Sequence, residues 1–211
     1  MSDELETKKV MSYLIGYRIG GQMLGQMLPG IQAEDLVGGE LGRGLLEGLA
    51  GTPDPAALAQ AQECQQRFLA MLQERADARG KANREAGVKY MEENARKEGV
   101  VTTNSGLQYE VLEAGGGETY DAAKHGEAPT AEVRYKGTLV DGTVFDQSSD
   151  TVKFNIRQVI PGFTEALTLM PVGAKWRVTI PSHLAYGANG PGKIGPHSTL
   201  VFEMELVALI R

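Results

Sequence analysis

The sequence predicts an α+β protein with an all-α N-terminal segment, a long helical stalk, and a C-terminal antiparallel sheet of about five strands wrapped on one short helix. Three observations predict this order. Apolar residues recur at helical spacing up to about residue 50, a polar stretch with no outright helix breaker follows, and beyond Gly99 apolar and polar residues alternate. We therefore divide the chain into residues 1–53, a linking helix at 54–99, and a sheet domain at 100–211.

The N-terminal segment is predicted to form two short amphipathic helices, at residues 5–28 and 33–49. Glycines recur at about four-residue spacing within the first helix and let another backbone approach closely: Gly16, Gly20, Gly21 and Gly25. About 50 residues in two glycine-rich helices cannot bury enough surface to be stable alone. We therefore predict a homodimer formed by the N-terminal helices. The alternative is a small monomeric helical cap packed on the stalk.

The stalk is predicted to be one helix because its ends carry helix boundary signals. Asp54 can cap the first turn, Pro55 suits the first helical position, and Gly99 follows the end. No large apolar residue appears at 73–87, and oppositely charged residues spaced four apart can support a solvated helix. This middle is expected to lie in solvent. The alternative is a pair of helices broken near Gly80 or Gly87.

Strands are predicted in the C-terminal half from period-two alternation, and a short helix at 163–170 interrupts them. The Asp141-Gly142 dipeptide favours the positive φ angles of a tight hairpin turn. Five strand segments follow from these signals: residues 106–112, 132–140, 143–145, 176–180 and 200–209. A sheet folded against one helix would enclose a single apolar core.

Composition limits the partners and the chemistry. The net charge of −6 includes no basic excess in either half, so nucleic acid is not an expected partner. No run of 18 apolar residues and no signal-peptide pattern is present, which predicts no membrane span and a cytoplasmic protein, or a periplasmic one if a signal peptide has been removed. The single cysteine excludes an internal disulfide.

Three runs of the C-terminal half resemble the FKBP-type peptidyl-prolyl cis/trans isomerases in order and spacing. They are VRYKGTLVDGTVFDQS, QVIPGFTEALTLMPVGAKWRVTIPSHLAYGANG and HSTLVFEMELVAL. The resemblance covers about residues 100–211. The N-terminal half and the run EAGVKYMEENARKEGV further resemble the bacterial macrophage infectivity potentiator (Mip)-like branch of that family.

The resemblance implies a function and a set of partners. It implies an isomerase that accelerates rotation about X-Pro bonds during protein folding, with chaperone activity as a V-shaped homodimer. Its substrates would be unfolded or partly folded polypeptides that contain proline, and macrolide inhibitors are candidate ligands. It implies no cofactor and no metal. The rival interpretation from another class is a non-catalytic module that captures proline-containing partners.

The resemblance also assigns a proline pocket. The residues with catalytic roles would be Tyr135, Phe145, Asp146, Ile160 and Tyr186. The residues that bind substrate would be Phe154, Val159, Phe163, Ile194 and Phe202. The chain departs from the branch at two places, because Phe163 stands where tryptophan usually forms the pocket floor and Val152 where some members have another aromatic residue. The smaller floor is expected to keep activity and to alter the affinity for proline-like inhibitors.

Other chemistries fit the sequence poorly. The histidines at positions 125, 183 and 197 lie far apart without a second ligand at metal spacing. The run GANGPGK lacks the spacing and the Ser/Thr of a phosphate loop. We interpret it as part of a flexible flap over the pocket; the flap is the segment between Tyr186 and the last strand, residues 187–199. For Asp146, capping of the hairpin turn is the alternative to a role in the site.

Overall fold

Helices form the first half of the chain in the computed structural model, which describes all residues except 1, 29, 30, 127, 128 and 211. The side chains of residues 2–6, 21, 22 and 25 are also outside the description. The helices are α1 (Ser2–Arg18), a π-helix (Ile19–Leu24), α2 (Gly25–Met27), a 3-10 turn (Ala33–Asp35), α3 (Gly38–Ala50) and α4 (Pro55–Ala95). The first predicted helix therefore contains a π-helical turn at its Gly20-Gly21 pair, where helix propensity is lowest.

The stalk is one α-helix of 41 residues, Pro55–Ala95, so the predicted continuity is confirmed and the two-helix alternative is wrong. The Asp54 carboxylate accepts hydrogen bonds from the N–H groups of Ala56 and Ala57, as the predicted cap requires. The chain divides into two compact units, residues 1–76 and 77–211. The finer division at residues 53 and 99 remains a prediction.

The prediction that residues 73–87 are fully solvated is wrong within the second unit. Gly80 and Gly87 are buried, and Asn83 donates a hydrogen bond to the carbonyl of Pro196. A helix can pack through small residues without any large apolar side chain. The absence of large apolar residues at 73–87 is therefore compatible with the contact made by Gly80, Asn83 and Gly87.

Among its described residues, the second unit is built on one antiparallel sheet of seven strands, two more than the sequence predicts. The path runs β1-β2-β6-β7-β3-β4, and β5 also pairs with β3. The strands are β1 (Val100–Thr102), β2 (Gln108–Glu113), β3 (Thr130–Leu139), β4 (Val144–Gln147), β5 (Val152–Asn155), β6 (Lys175–Ile180) and β7 (Leu200–Ile210). The two unpredicted strands, β1 and β5, are only three and four residues long.

A short helix, α6 (Pro161–Leu169), packs its apolar side on this sheet and closes the core. It matches the one helix predicted for this half, although a four-residue helix, α5 (Ala122–His125), and a 3-10 turn (Ser182–Leu184) are also present. The core contains fully buried residues from β3, β6, β7 and α6, among them Val133, Leu167, Val178 and Met204. Such burial contributes about 1.5–3 kcal/mol per large side chain.

The predicted hairpin joins β3 to β4, but its turn differs from the expected type. Gly142 has a positive φ of 87°, whereas Asp141 does not. The Gly142 N–H donates to the Leu139 carbonyl, and the Asp141 carboxylate accepts from the Thr143 N–H. This arrangement is a three-residue loop whose glycine takes the left-handed conformation, and it brings a register shift between Gly137 and Thr138.

Candidate functional site

Five aromatic side chains from five different elements meet on one side of the sheet. Their ring centroids are 5.2–6.2 Å apart in six pairs, mostly tilted or edge to face. The five are Tyr135 on β3, Phe145 on β4, Phe154 on β5, Phe163 on α6 and Phe202 on β7. Phe163 is the most buried of the five, at 4% exposed, and its ring contacts three of the other rings. The predicted pocket aromatics therefore converge.

A glycine on β3 makes room for two of these rings. Gly137 pairs with Asp146 on one side and with Phe202 on the other. A Cβ atom at this position would lie 2.6 Å from Phe145 Cζ and 2.9 Å from Phe202 Cε1. Gly137 is not among the predicted site residues, although an isolated glycine inside a strand pattern is the signal of such a close approach.

A polar pair lies at the edge of the aromatic cluster. The Tyr135 hydroxyl donates a hydrogen bond of 2.7 Å to Asp146 Oδ2. Asp146 itself is exposed. The pKa of the Tyr135 phenol is raised from 10.0 to about 12. The largest cause is burial, and the smaller causes are the hydrogen bond to Asp146 and the charges of Asp146 and Tyr186. Tyr135 is therefore held as a neutral donor, and Asp146 orients it.

We expect Tyr135 to ionise at about pH 12 in the folded protein rather than near 10. A raised pKa stabilises the folded state below the unfolded value near 10, and this contribution is lost as the pH rises toward 12. Absorbance titration of the seven tyrosines should show a late step that Tyr135→Phe removes and Asp146→Asn moves to lower pH. If Tyr135→Phe removed an absorbance step near pH 10 instead, the raised pKa assigned to Tyr135 would be wrong.

The start of α6 packs beside the aromatic cluster. Val159 and Ile160 are partly buried against the core that contains Phe163. The Ile160 carbonyl accepts from the N–H groups of Phe163 and Thr164, and Pro161 occupies the first helical position. Within the described residues, the Ile160 N–H donates to no acceptor. It can therefore donate to a bound ligand.

The two remaining predicted residues lie just before the flap and within it. Tyr186, just before it, is 41% exposed, and its hydroxyl has no hydrogen-bond partner within the part of the chain that the structure describes. The charge of Tyr186 is one of the smaller causes of the raised pKa of Tyr135. Ile194 is 6% exposed and belongs to the core cluster rather than standing free on the flap.

The arrangement favours a neutral, uncharged chemistry. The side chains of the cluster are mostly hydrocarbon. The polar groups beside them are the Tyr135 hydroxyl, the Ile160 N–H and the Asp146 carboxylate, which accepts the hydrogen bond of Tyr135. Nucleophile and base pairs of the kind that covalent catalysis needs do not occur among these residues. Across the described residues, no group of three or more His, Cys, Asp or Glu side chains could hold a metal ion. The site can enclose an apolar ring and hold carbonyl groups beside it.

A separate cavity of about 230 Å³ lies on the opposite face of the sheet. Its lining includes Tyr90, Lys136 and Arg177. Lys136 follows Tyr135 on β3, and successive side chains of a strand point to opposite faces. This cavity is therefore distinct from the aromatic site.

Two family models match the chain. The model described as "FKBP-type peptidyl-prolyl cis-trans isomerase" matches residues 121–207, and the model described as "Domain amino terminal to FKBP-type peptidyl-prolyl isomerase" matches residues 8–111. The first contains the aromatic site and the second most of the helical half. Both halves of the chain thus match models that occur in one family.

Known proteins support the same family over the whole length. The FKBP-type 22 kDa peptidyl-prolyl cis-trans isomerase of Escherichia coli K12 is 44% identical over 94% of this chain and 94% of that protein. The outer membrane protein MIP of Legionella longbeachae is 37% identical over 96% of this chain and 85% of that protein. The crystal structure of FkpA from Escherichia coli superposes with a TM-score of 0.68 at 32% identity, covering 100% of this chain and 97% of that one.

No helix within the described residues is both long and apolar enough to cross a membrane. The family models, the full-length relatives and the converging aromatic rings agree with the resemblance and with the α+β fold. The chain belongs to the Mip-like branch of the FKBP-type peptidyl-prolyl cis-trans isomerases and is an enzyme of that activity.

Proposed function

We propose that the aromatic cluster is the active site and that it isomerises X-Pro bonds by sheltering the twisted amide. The observation that carries this proposal is the convergence of five rings beside an unpaired donor, the Ile160 N–H at the start of the helix that carries Phe163. Phe145, Phe163 and the neighbouring rings hold the pyrrolidine ring of proline. The rival, a non-catalytic proline-binding module, needs the same apolar pocket but no catalytic donor.

The chemistry follows from the amide itself. Rotation about the X-Pro bond sacrifices resonance, and the barrier is about 18–20 kcal/mol. The twisted state has a localised nitrogen lone pair and less charge on its carbonyl oxygen, so transfer from water to a dry aromatic pocket favours it over the planar state. Each 1.36 kcal/mol of this preference raises the rate about tenfold. No proton transfer or covalent step is required.

The polar groups have positioning roles in this scheme. The Tyr186 hydroxyl and the Ile160 N–H donate to carbonyl groups that flank the rotating bond. Asp146 orients Tyr135 through the 2.7 Å hydrogen bond. Val159, Ile194, Phe154 and Phe202 exclude water from the bound proline. The affinity for macrolide inhibitors is expected to reflect the phenylalanine, rather than tryptophan, at position 163.

Isomerase activity tests the proposal directly. We expect the wild-type protein to accelerate proline-limited refolding of a model protein and Tyr186→Phe to lower kcat/KM about three- to tenfold, the value of one neutral hydrogen bond. Tyr90→Phe is the matched control, because it removes a phenol hydroxyl on the other face of the sheet. Equal activity of wild type, Tyr186→Phe and Tyr90→Phe would refute the role of Tyr186. No acceleration by wild type would leave the binding module as the better interpretation.

We further propose that residues 1–53 join two copies of the chain and that residues 54–99 link them to catalytic domains at residues 100–211. Large apolar side chains of the described helices are exposed in the single chain, including Tyr13, Ile15, Tyr17 and Met27. Gly16 and Gly20 have no neighbouring atom within 4 Å of a Cβ position, so their surfaces are open to another backbone. Exposed apolar area of this kind supports an interface better than a monomeric cap does.

The dimer is expected to serve chaperone activity on large clients. Sedimentation equilibrium should give twice the chain mass of 22.7 kDa. Gly16→Leu and Gly20→Leu should convert the dimer to monomer, which should slow refolding of a large client and leave isomerisation of short peptides unchanged. Equal losses in the two assays would refute the chaperone role.

The compartment remains a prediction, and the name of the Legionella longbeachae relative favours the envelope alternative over the cytoplasmic one.

A further inference from the structure

We propose that Asn83 on α4 is a positioning residue for isomerisation, because it holds the flap in place beside the aromatic pocket. The C-terminal part of the linking helix would then belong to the catalytic unit rather than act only as a spacer. The inference rests on the proposed function of the pocket, and all of its contacts lie within the unit formed by residues 77–211.

The Asn83 side chain binds two points on the flap. Its amide Nδ2 donates to the Pro196 carbonyl at 2.8 Å and to Ser198 Oγ at 3.3 Å. Ser198 is buried, and its hydroxyl donates in turn to the Gly195 carbonyl at 2.8 Å. One turn earlier, Arg79 Nη2 donates to the Lys193 carbonyl at 3.1 Å. These bonds fix the carbonyl groups of Lys193 and Pro196 to one face of the helix, and the Gly195 carbonyl is held within the flap by Ser198.

Glycines allow the helix and the flap to come this close. A Cβ atom on Gly87 would lie 2.4 Å from Thr199 Oγ1, and one on Gly80 would lie 3.1 Å from His197 Cδ2. On the opposite side of the contact, a Cβ on Gly195 would lie 2.8 Å from Asn83 Nδ2. Positions 80, 83 and 87 share one helical face. The two surfaces are therefore fitted to each other at the same place as the hydrogen bonds.

The fixed part of the flap leads directly to the pocket. Ile194 lies between the carbonyls that Arg79 and Asn83 hold, and it is buried in the core with Phe163. The His197 N–H donates to the Gly187 carbonyl at 2.7 Å, which ties this end of the flap to the end that follows Tyr186. His197 has a φ of 57°, a left-handed conformation that persists where the surroundings hold it. Release of Asn83 should therefore loosen Ile194 and Tyr186 together.

The experiment uses the full chain with Asn83→Asp, which keeps the size of the side chain and removes its N–H donors. We expect KM for a proline peptide to rise about three- to tenfold, the loss of one or two neutral hydrogen bonds, with kcat changed less because Asn83 touches no substrate. Arg79→Ala, an exposed position, should change KM in the same direction by a smaller factor. Asn104→Asp is the matched control, because Asn104 is exposed at the turn before β2.

A second readout reports the flap without relying on activity. Lys193 is exposed, and trypsin cleaves after lysine, so the rate of cutting at the Lys193–Ile194 bond measures how firmly the flap is held. Faster cutting in Asn83→Asp together with a raised KM would support the proposal. Faster cutting with unchanged KM would overturn the positioning role of Asn83. Unchanged cutting would show that the Asn83 hydrogen bonds, which we call the clamp, do not hold the flap, and would overturn the proposal. If wild type proves inactive while Asn83→Asp still cuts faster, the proposed function fails and the clamp stands.

Discussion

Replacing Phe163 with alanine is expected to lower the free energy of unfolding of the second unit by about 3–5 kcal/mol, the cost of removing a buried phenylalanine ring. Phe163 is almost fully buried, and its ring centroid lies 5.2 Å from that of Phe202 and 5.7 Å from that of Phe154. Its loss leaves a cavity beneath the pocket that the surrounding strands cannot fill without shifting. Isomerase activity should fall together with stability.

Urea unfolding followed by tryptophan fluorescence measures this change cleanly. The single tryptophan, Trp176, is buried in the core of the second unit and therefore reports that unit alone. Leu169→Ala is the matched control on the same helix, because Leu169 is 43% exposed and should cost less than about 1 kcal/mol. Similar unfolding midpoints for Phe163→Ala and Leu169→Ala would contradict the central position given to Phe163.

The elements that the sequence predicted correctly carry strong local signals. Asp54 and Pro55 mark a helix start, and the alternation LVFEMELVAL predicts β7. The pocket aromatics, by contrast, are separated by up to 67 positions, from Tyr135 to Phe202, and no periodicity predicts that they meet. Their convergence was expected only because the motif order resembles a known family.

The missed features depend on tertiary pairing. Strands β1 and β5 are too short for period-two alternation to stand out, and they form because β2 and β3 offer them a paired edge. The contact of α4 with the flap involves Gly80, Asn83 and Gly87, none of which contributes to a hydrophobic pattern. A polar helix face was therefore interpreted as solvated when it is fitted to a specific loop.

Gly137→Val is expected to lower kcat/KM by about ten- to hundredfold, equivalent to about 1.4–2.7 kcal/mol of transition-state stabilisation. The first added carbon already lies 2.6 Å from Phe145 Cζ, and Phe202 closes the other side at 2.9 Å. Both rings must move, and both shape the wall against which the proline ring would lie. Valine favours strands, so pairing of β3 with β4 and β7 should survive.

Because β3 is expected to remain paired, Gly137→Val tests the effect of pocket shape on activity without a large effect on the stability of the sheet. Gly116→Val is the control, since no atom lies within 4 Å of a Cβ at that exposed position. For both variants, peptide isomerisation gives kcat/KM and Trp176 fluorescence shows whether the second unit is folded. A folded Gly137→Val protein with wild-type kcat/KM would mean that Phe145 and Phe202 need not keep their observed positions, and the proposed catalytic role of the aromatic wall would then be wrong.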